Sequence, residues 1–246
     1  MAKDLLLEIG TEEVPAHFMP GILAQLKEKA TAKFQEMRLD FDEVTSLGTP
    51  RRTALLVKNL AETQQGASSE YKGPSTAIAF DKDGNPTKAA IGFARGKKVD
   101  VADLVVKDGY VYAVSSEEGK QTVELLPTLL KELVEGLNFP KNMRWGDLDF
   151  RFVRPLRWLV ALYDEEVIDF TVANVTSGRV SRGHRFLSEG DFTINKASDY
   201  EQACKDAFII VDQEKRRDII KAQIEEIAKA HNGHAEITED LLEEVI

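Results

Sequence analysis

The amino-acid sequence predicts an α+β fold: a mixed domain of strands, hairpins and packed helices over residues 1–190, then the start of a mainly helical region over residues 191–246. Two observations lead to this prediction. Short apolar runs bounded by turn residues indicate strands, and apolar residues repeated every three or four positions indicate amphipathic helices. Because helical patterns dominate only near the end of the chain, we place a domain boundary near residue 190.

The first elements are a strand, a helix and a hairpin. Residues 4–9, DLLLEI, predict the strand, and an apolar residue at every fourth position then predicts a helix that ends near Leu39. The apolar positions of this helix are Phe18, Ile22, Leu26, Ala30 and Phe34. The segment EVTSLGTPRRTALLVKNL predicts a hairpin whose turn follows Gly48. We expect Arg51 and Arg52 to lie at the rim of this turn.

The middle of the chain predicts a second group of elements. A short strand is expected at residues 77–80, followed by an Asp-Gly turn and by a helix that begins at Pro86 and ends at Gly96. The alternating run GYVYAVSSEEGK predicts another strand. A helix with a leucine face follows, and Pro127 is expected in its first turn. The leucines of this face are Leu125, Leu126, Leu129, Leu130, Leu133 and Leu137.

The last third of the chain begins with the run WLVALYDEEVIDFTVANV, which predicts a hairpin around an acidic turn. The segment TSGRVSRGHRF is expected to form an exposed loop that carries Arg179, Arg182, His184 and Arg185. Further on, FIIV predicts a strand, and repeated isoleucines predict a long helix. The final ITEDLLEEVI predicts another helix, with Thr238 as its N-cap. Because no helix-ending residue follows, we expect a truncated helical region.

Composition limits the function without naming it. The net charge is −10, which argues against a surface that is basic all over but leaves room for a local basic patch. Cys204 is the single cysteine, so a disulfide framework and a cysteine-based zinc site are both excluded. The sequence contains no signal peptide and no apolar run of about 20 residues. We therefore expect a cytoplasmic protein that does not enter the membrane.

Several short motifs resemble catalytic or metal-binding sites but fail on spacing. GRVSRG around Ser181 has one residue too many for the nucleophile elbow of hydrolases. EEGKQT lacks the upstream glycine of a phosphate-binding loop, and DKDGNP lacks the glycine of a calcium loop. His231 and His234 have no third ligand nearby, and Glu12 and Glu13 are explained by the dipole of a helix start. We assign no catalytic, cofactor-binding or metal-binding residue.

The stretch RFVRPLRW, residues 151–158, concentrates arginines and aromatic residues in this acidic chain. One interpretation is structural: the arginines form surface ion pairs with neighbouring carboxylates, worth about 0–1 kcal/mol each. The other interpretation is RNA binding, because a planar guanidinium suits bidentate contacts to phosphate and stacking on bases or on Trp145 and Trp158. The candidate nucleic-acid contacts, chosen by charge and position, are Arg51, Arg52, Arg144, Arg151, Arg154, Arg157, Arg179, Arg182 and Arg185.

Six separated segments resemble one known family when they are taken in order: LLLEIGTEEVPA, GTPRRTALLV, NPTKAAIGFARG, PKNMRWG, FRFVRPLRWLVALY and SGRVSRGHRF. Together they are similar to the N-terminal part of the beta subunit of bacterial heterotetrameric glycyl-tRNA synthetases. The resemblance implies an enzyme of two alpha and two beta subunits that joins glycine to tRNA(Gly). It also implies a domain like the B3/B4 domain of phenylalanyl-tRNA synthetase, followed by an HD-like helical domain.

The same resemblance implies a division of labour between the subunits. The alpha subunit holds the adenylation site, which uses ATP with Mg, whereas the beta subunit supplies tRNA binding. No cofactor is therefore expected in this chain, and its partners are expected to be the alpha subunit and tRNA(Gly). The chain alone is expected to be inactive.

Three hypotheses about this region stay open. It is a non-catalytic part that contacts tRNA, supports subunit architecture, or both; it is a scaffold only; or it is an aminoacyl-tRNA editing domain. The last has only analogy behind it, and glycine's small size weakens the need for editing. We expect tRNA contact first at SGRVSRGHR. We expect RFVRPLRW to serve architecture, with Arg154 as a brace and with Pro155 and Trp158 at the start of a core strand.

Overall fold

The computed structural model describes residues 2–246 and divides the chain into two compact units. The first unit contains Met1–Thr63 and Gln121–Ile246, and the inserted unit contains Gln64–Lys120. Both units combine helices with antiparallel strands, which confirms the predicted α+β class. The sequence patterns did not separate the inserted unit. The boundary near residue 190 stays a prediction.

The described residues contain the following strands and helices. The strands are β1 (Ala2–Thr11), β2 (Glu43–Thr49), β3 (Arg52–Ala61), β4 (Ala67–Ser75), β5 (Val105–Lys107), β6 (Tyr110–Glu117), β7 (Leu156–Tyr163), β8 (Glu166–Val167), β9 (Thr171–Val172), β10 (Val175–Gly178), β11 (Val180–Arg182) and β12 (Asp191–Thr193). The α-helices are α1 (Met19–Glu36), α2 (Thr76–Ala79), α3 (Lys88–Gly96), α4 (Thr122–Glu135), α5 (Tyr200–Asp206), α6 (Gln213–Ala230) and α7 (Glu239–Val245).

A mixed sheet forms the centre of the first unit, with strand order β2-β3-β1-β7-β10-β9 and with β8 paired to β7. The strand β1 lies between β3 and β7, antiparallel to both, so that Glu8 is aligned with Ala54 on one side and Val160 on the other. Because successive side chains of a strand point to opposite faces, β1 contributes to two cores. Leu5 and Leu7 face the first core, and Leu6 faces the second.

Helices α1 and α4 cover the first face of this sheet. Four of the five positions predicted for α1 are confirmed, since Ile22, Leu26, Ala30 and Phe34 are all buried in the first core. The fifth, Phe18, lies just before α1 and is partly buried. The leucine face of α4 packs into the same core. One detail of the prediction is wrong: Pro127 lies inside α4 rather than in its first turn, because the helix already begins at Thr122.

The second face of the sheet is covered by α5 and by the segment that follows it. This segment, FIIV, was predicted as a strand, but residues 208–211 are irregular. Ile209 and Val211 are buried and Phe208 and Ile210 are exposed, which reproduces the alternation of a strand without a full ladder. The contact to the edge strand is a hydrogen bond from the backbone N–H of Gly48 to the carbonyl oxygen of Val211, 3.0 Å long.

The inserted unit has its own sheet, with order β4-β6-β5, and a small core around Ala79, Ala90 and Val111. The predicted helix that ends at Gly96 is confirmed as α3. The strand predicted at residues 77–80 is wrong, because these residues lie mostly in the short helix α2. A helical turn here brings Ala79 into the core with Ala90, and that packing outweighs the short apolar pattern.

The chain leaves and re-enters the first unit at adjacent positions. Thr63 and Gln121 form an isolated antiparallel bridge, and the N–H of Thr122 donates to the carbonyl oxygen of Glu62 over 2.9 Å. The Thr122 hydroxyl also donates to the carbonyl oxygen of Ala61. Residues 64–120 are thus an insertion between β3 and α4.

The residues that the structure describes include no helix long and apolar enough to cross a membrane.

A close approach between β1 and β7 gives a first test of this fold. Gly10 is aligned with Trp158, and a Cβ atom on Gly10 would overlap the indole ring. We expect Gly10→Ala to lower the free energy of unfolding by about 1–3 kcal/mol, as overpacking usually does. Gly21→Ala in α1 is the matched control, since nothing lies within 4 Å of its added Cβ. Equal urea midpoints for the two variants would contradict the close approach.

Candidate nucleic-acid interface

A buried carboxylate in the central strand β1 organises the end of the strands β1, β3 and β7, where most of the predicted arginines lie. Glu8 is 0% exposed and accepts hydrogen bonds from three buried side chains. Trp158 donates from Nε1 to Oε1, Ser181 donates from Oγ to Oε1 over 2.5 Å, and Tyr200 donates from its hydroxyl to Oε2 over 2.5 Å. The guanidinium of Arg52 completes the cluster at 3.4 Å from Oε2. These side chains join β1, β7, β11, α5 and β3.

Arg52 is therefore not at the rim of a turn, as its position in the sequence suggested. It is 3% exposed, and its Nη2 donates to the carbonyl oxygen of Arg182 over 2.5 Å. Burial lowers the pKa of Arg52, but the adjacent Glu8 carboxylate raises it, and the net pKa lies above its ordinary value. The side chain stays charged and holds β3 against β11. We therefore correct its assignment from RNA contact to architecture.

The other polar groups of this cluster are not placed or ionised for a reaction with a substrate. Ser181 is 0% exposed, and its hydroxyl is engaged by Glu8 and Arg52, so it has no access to a substrate. Burial, followed by the charge of Glu8, raises the pKa of the Cys204 thiol to about 12. The same causes raise the pKa of Tyr200 well above its ordinary value. The buried cluster is a structural network.

Trp158 contacts both this buried network and arginines that lie nearer the surface. The guanidinium carbons of Arg51, Arg52 and Arg182 lie 5.9, 5.5 and 5.2 Å from the centre of its ring, within the range of cation–π attraction. The sequence predicted arginine stacking on this tryptophan. The arginines come from the β2–β3 turn and β11 rather than from RFVRPLRW itself.

Two arginines of the candidate set brace the backbone. Arg154 donates from Nε to the carbonyl oxygen of Glu13 over 3.0 Å and from Nη1 to that of Val153 over 2.9 Å. Arg179 donates from Nη2 to the carbonyl oxygen of Glu165 over 2.9 Å and from Nη1 to that of Asn195 over 3.4 Å. Both side chains are half-buried. Their hydrogen bonds fix the path of neighbouring loops.

The segment TSGRVSRGHRF was predicted as an exposed loop, and this prediction is wrong for most of its length. Residues 175–178 form β10 and residues 180–182 form β11, because Ser177 and Ser181 are buried and hydrogen-bonded. Arg182 and His184 are half-buried, and Arg185 is exposed. Apolar alternation in the sequence could not have revealed β11, because Val180 is 46% exposed whereas the polar Ser181 is 0% exposed.

Four arginines with accessible guanidinium groups lie near the end of the strands β1, β3 and β7. Arg157 pairs with Glu12 at 3.2 Å, Arg185 pairs with Glu13 at 3.3 Å, and Arg182 lies 3.8 Å from Asp191. We call Arg51, Arg157, Arg182 and Arg185 the arginine edge.

Like charges are crowded within the arginine edge. Burial lowers the pKa of the half-buried Arg51, and the positive charge of Arg185 lowers it further. Nearby positive charges repel one another, and an added anion relieves that repulsion. The carboxylates of Glu12 and Glu13 act in the opposite direction and raise the pKa of Arg51.

The two remaining candidates are exposed at other positions. Arg144 pairs with Asp149 at 3.4 Å, whereas Arg151 is exposed next to the bridge between Met143 and Phe152. Within residues 2–246, no hydrogen bond or ion pair joins either of them to the arginine edge. The nine predicted residues thus divide into braces, edge residues and isolated surface arginines.

Sequence reasoning missed three aromatic or apolar residues beside the arginine edge. Phe186 is 83% exposed, Leu187 is 61% exposed, and Phe208 is 58% exposed. Phe186 and Phe208 line a cavity of about 370 Å³ together with Arg51 and Arg185. The available signal was the run of large apolar residues directly after Arg185, in a segment interpreted only for its charge.

Across the described part of the chain, no group of three or more His, Cys, Asp or Glu side chains has the arrangement of a metal site.

The sheet, the buried polar network and the arginine edge belong to an α+β domain, and sequence comparison identifies its family. The sequence model described as "Glycyl-tRNA synthetase beta subunit" matches residues 5–246. The chain therefore belongs to the glycyl-tRNA synthetase beta subunit family.

Individual relatives agree with this family. The chain is 50% identical to a protein named glycine–tRNA ligase beta subunit from Desulfitobacterium hafniense strain Y51, covering 100% of this chain and 36% of the relative. Proteins of the same name from Desulforamulus reducens and Natranaerobius thermophilus are 46% and 45% identical, with the same two coverages. The chain thus spans about a third of the length of these relatives.

The Glu8–Arg52 pair gives a second test. Glu8→Gln keeps the shape of the side chain but leaves the buried guanidinium without its counter-ion. Because breaking a buried ion pair costs about 3–5 kcal/mol, we expect a loss of this size in the free energy of unfolding. Glu12→Gln, which breaks the exposed pair with Arg157, should cost about 1 kcal/mol or less. Chemical denaturation measures both, and similar losses would show that Arg52 does not depend on Glu8.

The labelling rate of the Cys204 thiol tests whether the same network is closed to solvent, and this test needs no substitution. With its pKa raised to about 12 by burial and by Glu8, the thiolate fraction at pH 8 is on the order of 1 in 10,000. We expect a disulfide reagent to label the native chain very slowly and the urea-unfolded chain quickly. Fast labelling under native conditions would contradict the closed network.

Proposed function

We propose that this chain is part of the beta subunit of a cytoplasmic glycyl-tRNA synthetase, and that it contacts tRNA(Gly) through the arginine edge. In this proposal the alpha subunit carries out the ligase reaction with ATP and Mg. The present region is non-catalytic and also contributes to subunit architecture. Its family membership and the crowding of arginines at one edge of an acidic chain support the proposal.

The observation that carries RNA contact is the concentration of accessible guanidinium groups. Arg157 and Arg185 are exposed, and their partners Glu12 and Glu13 hold them only by surface ion pairs. Such pairs contribute about 0–1 kcal/mol, so a phosphate can replace the carboxylate at little loss. A guanidinium binds phosphate through two parallel hydrogen bonds, which favours arginine for this role.

The architectural part of the proposal has its own support. Arg52, Arg154 and Arg179 donate to a buried carboxylate or to backbone carbonyl oxygens, and this leaves less of each guanidinium for an external ligand. We therefore propose that arginines pointing into the fold set the shape of the edge, whereas arginines pointing outward bind RNA. The scaffold-only hypothesis remains the main alternative, in which the outward arginines meet another protein.

Charge-removing substitutions test the RNA contact. In the assembled alpha–beta complex, Arg157→Ala combined with Arg185→Ala should weaken tRNA(Gly) binding. It should also reduce the slope of log affinity against log salt by about 1 for each phosphate that an arginine no longer neutralises. Arg144→Ala, which removes an exposed arginine outside the edge, is the control. Unchanged affinity and unchanged slope for the double variant would overturn the proposal.

The paired carboxylates give a test with the opposite sign. Glu13→Gln frees Arg185 and removes a negative charge that competes with phosphate, so we expect tighter tRNA binding, about 2–5-fold at low salt. In contrast, Arg154→Ala should lower the melting temperature or weaken subunit assembly, with RNA affinity retained in whatever complex forms. Weaker tRNA binding by Glu13→Gln would instead favour the scaffold hypothesis.

A further inference from the structure

Four large apolar side chains are exposed beside the arginine edge. Phe186, Leu187, Phe208 and Ile210 are 83%, 61%, 58% and 36% exposed. Phe186, Phe208 and Ile210 line one cavity, and Leu187 and Phe208 line the adjacent one. We call these four residues the apolar patch. Clusters of exposed apolar residues with a polar rim commonly mark binding sites.

The loop that carries Phe186 is held in place by a histidine. The Nδ1 atom of His184 accepts hydrogen bonds from the backbone N–H groups of Phe186 and Leu187, each 3.2 Å long. The backbone N–H of His184 donates to the carbonyl oxygen of Ala207 over 3.0 Å, and the Ser188 hydroxyl donates to the carbonyl oxygen of His184 over 2.8 Å. The fold therefore presents Phe186 outward on an anchored loop.

Phe208 is exposed at a cost in backbone strain. It follows α5 with a φ of 61°, in the left-handed region where helices often end with glycine. A bulky residue at positive φ is a genuine outlier, and such strain clusters at binding sites. Burial of the ring does not offset the strain, because 58% of the residue is exposed. Glycine adopts this φ without strain.

The surroundings of the two phenylalanines are cationic. Arg51 and Arg185 line the same cavity of about 370 Å³ as Phe186 and Phe208. Glu13 and Glu244 also line it, and the carboxylate of Glu13 is paired with Arg185, whereas Arg52 and Arg216 add two further positive charges to the lining. Aromatic rings beside arginines match the two parts of a nucleotide: the flat base stacks on the ring, and the phosphate binds the guanidinium.

We infer that the apolar patch and the adjacent arginines bind an unpaired RNA segment, with bases stacked on Phe186 and Phe208 and phosphates at Arg51 and Arg185. This inference rests on the proposed tRNA contact and specifies its substrate as single-stranded RNA. In a duplex the base faces are already stacked on each other, so only unpaired bases can stack on protein rings. The cationic wall favours RNA over an apolar protein partner.

Direct binding measurements test the inference. The chain is titrated into a fluorescently labelled single-stranded RNA of about six nucleotides, within the site sizes of single-strand binders, and separately into a blunt-ended, fully paired RNA duplex. We expect Phe186→Ala and Phe208→Gly each to weaken single-strand binding about 5–100-fold, the range for removal of one stacked base. Duplex binding should change by less than about twofold, since its paired bases do not stack on the rings. Ile78→Ala, which removes an exposed apolar residue of the inserted unit, is the control.

Phe208→Gly separates binding from folding. Since glycine adopts positive φ without strain, this variant should melt about 2–4 °C above the parent chain while it binds single-stranded RNA more weakly. A gain in stability with a loss of affinity excludes misfolding as the cause. A gain in stability with unchanged affinity for the single strand overturns the role of Phe208.

The remaining outcomes distinguish this inference from the proposal on which it rests. If Arg185→Ala weakens tRNA binding but the phenylalanine variants do not weaken single-strand binding, the arginine edge binds phosphates alone and the inference is overturned. If the phenylalanine variants lower only the association with the alpha subunit, the patch binds protein, and the inference is again overturned. If single-strand binding depends on the phenylalanines whereas tRNA binding does not depend on the arginines, stacking stands and the arginine proposal fails.

Discussion

The ion pair between Glu8 and Arg52 is the constraint on which the edge of this domain depends. A carboxylate in the central strand of a sheet that is covered on both faces needs a cation and several donors. Together with Glu8, the side chains that supply this cation and these donors come from five separate elements. Trp158 is oriented by the same carboxylate, and the guanidinium groups of Arg51 and Arg182 lie within cation–π range of its ring. The position of part of the arginine edge thus follows from a buried polar group.

Periodicity predicted most of the elements, because the face on which a residue lies is a local property of a strand or helix. The helix through Ile22 and Leu26, the hairpin after Gly48 and the helix α3 are examples. Periodicity misassigned residues 77–80 and 208–211, because a run of four apolar residues fits a strand, a helical turn or an irregular edge equally well. Tertiary packing decided each case.

The candidate site was predictable as a set of arginines but not as a division of roles. Arg51 and Arg52 are neighbours in sequence, but Arg51 lies in the β2–β3 turn and is half-buried, whereas Arg52 begins β3 and is buried. Nothing in the turn composition identifies which of them meets Glu8, 44 positions away. The apolar residues beside Arg185 were overlooked for a similar reason, since exposure is decided by long-range contacts. A carboxylate within the apolar run LLLEIG was the available clue to a buried counter-ion.

The adjacent positions at which the chain leaves and re-enters the first unit have a consequence for changes in chain length. The bridge between Thr63 and Gln121 closes the first unit locally, as a short hairpin turn would. The register of β3 and the start of α4 are then independent of what lies between them. A change in the length of residues 64–120 would leave both ends of this bridge in place, which is the condition under which insertions are best tolerated.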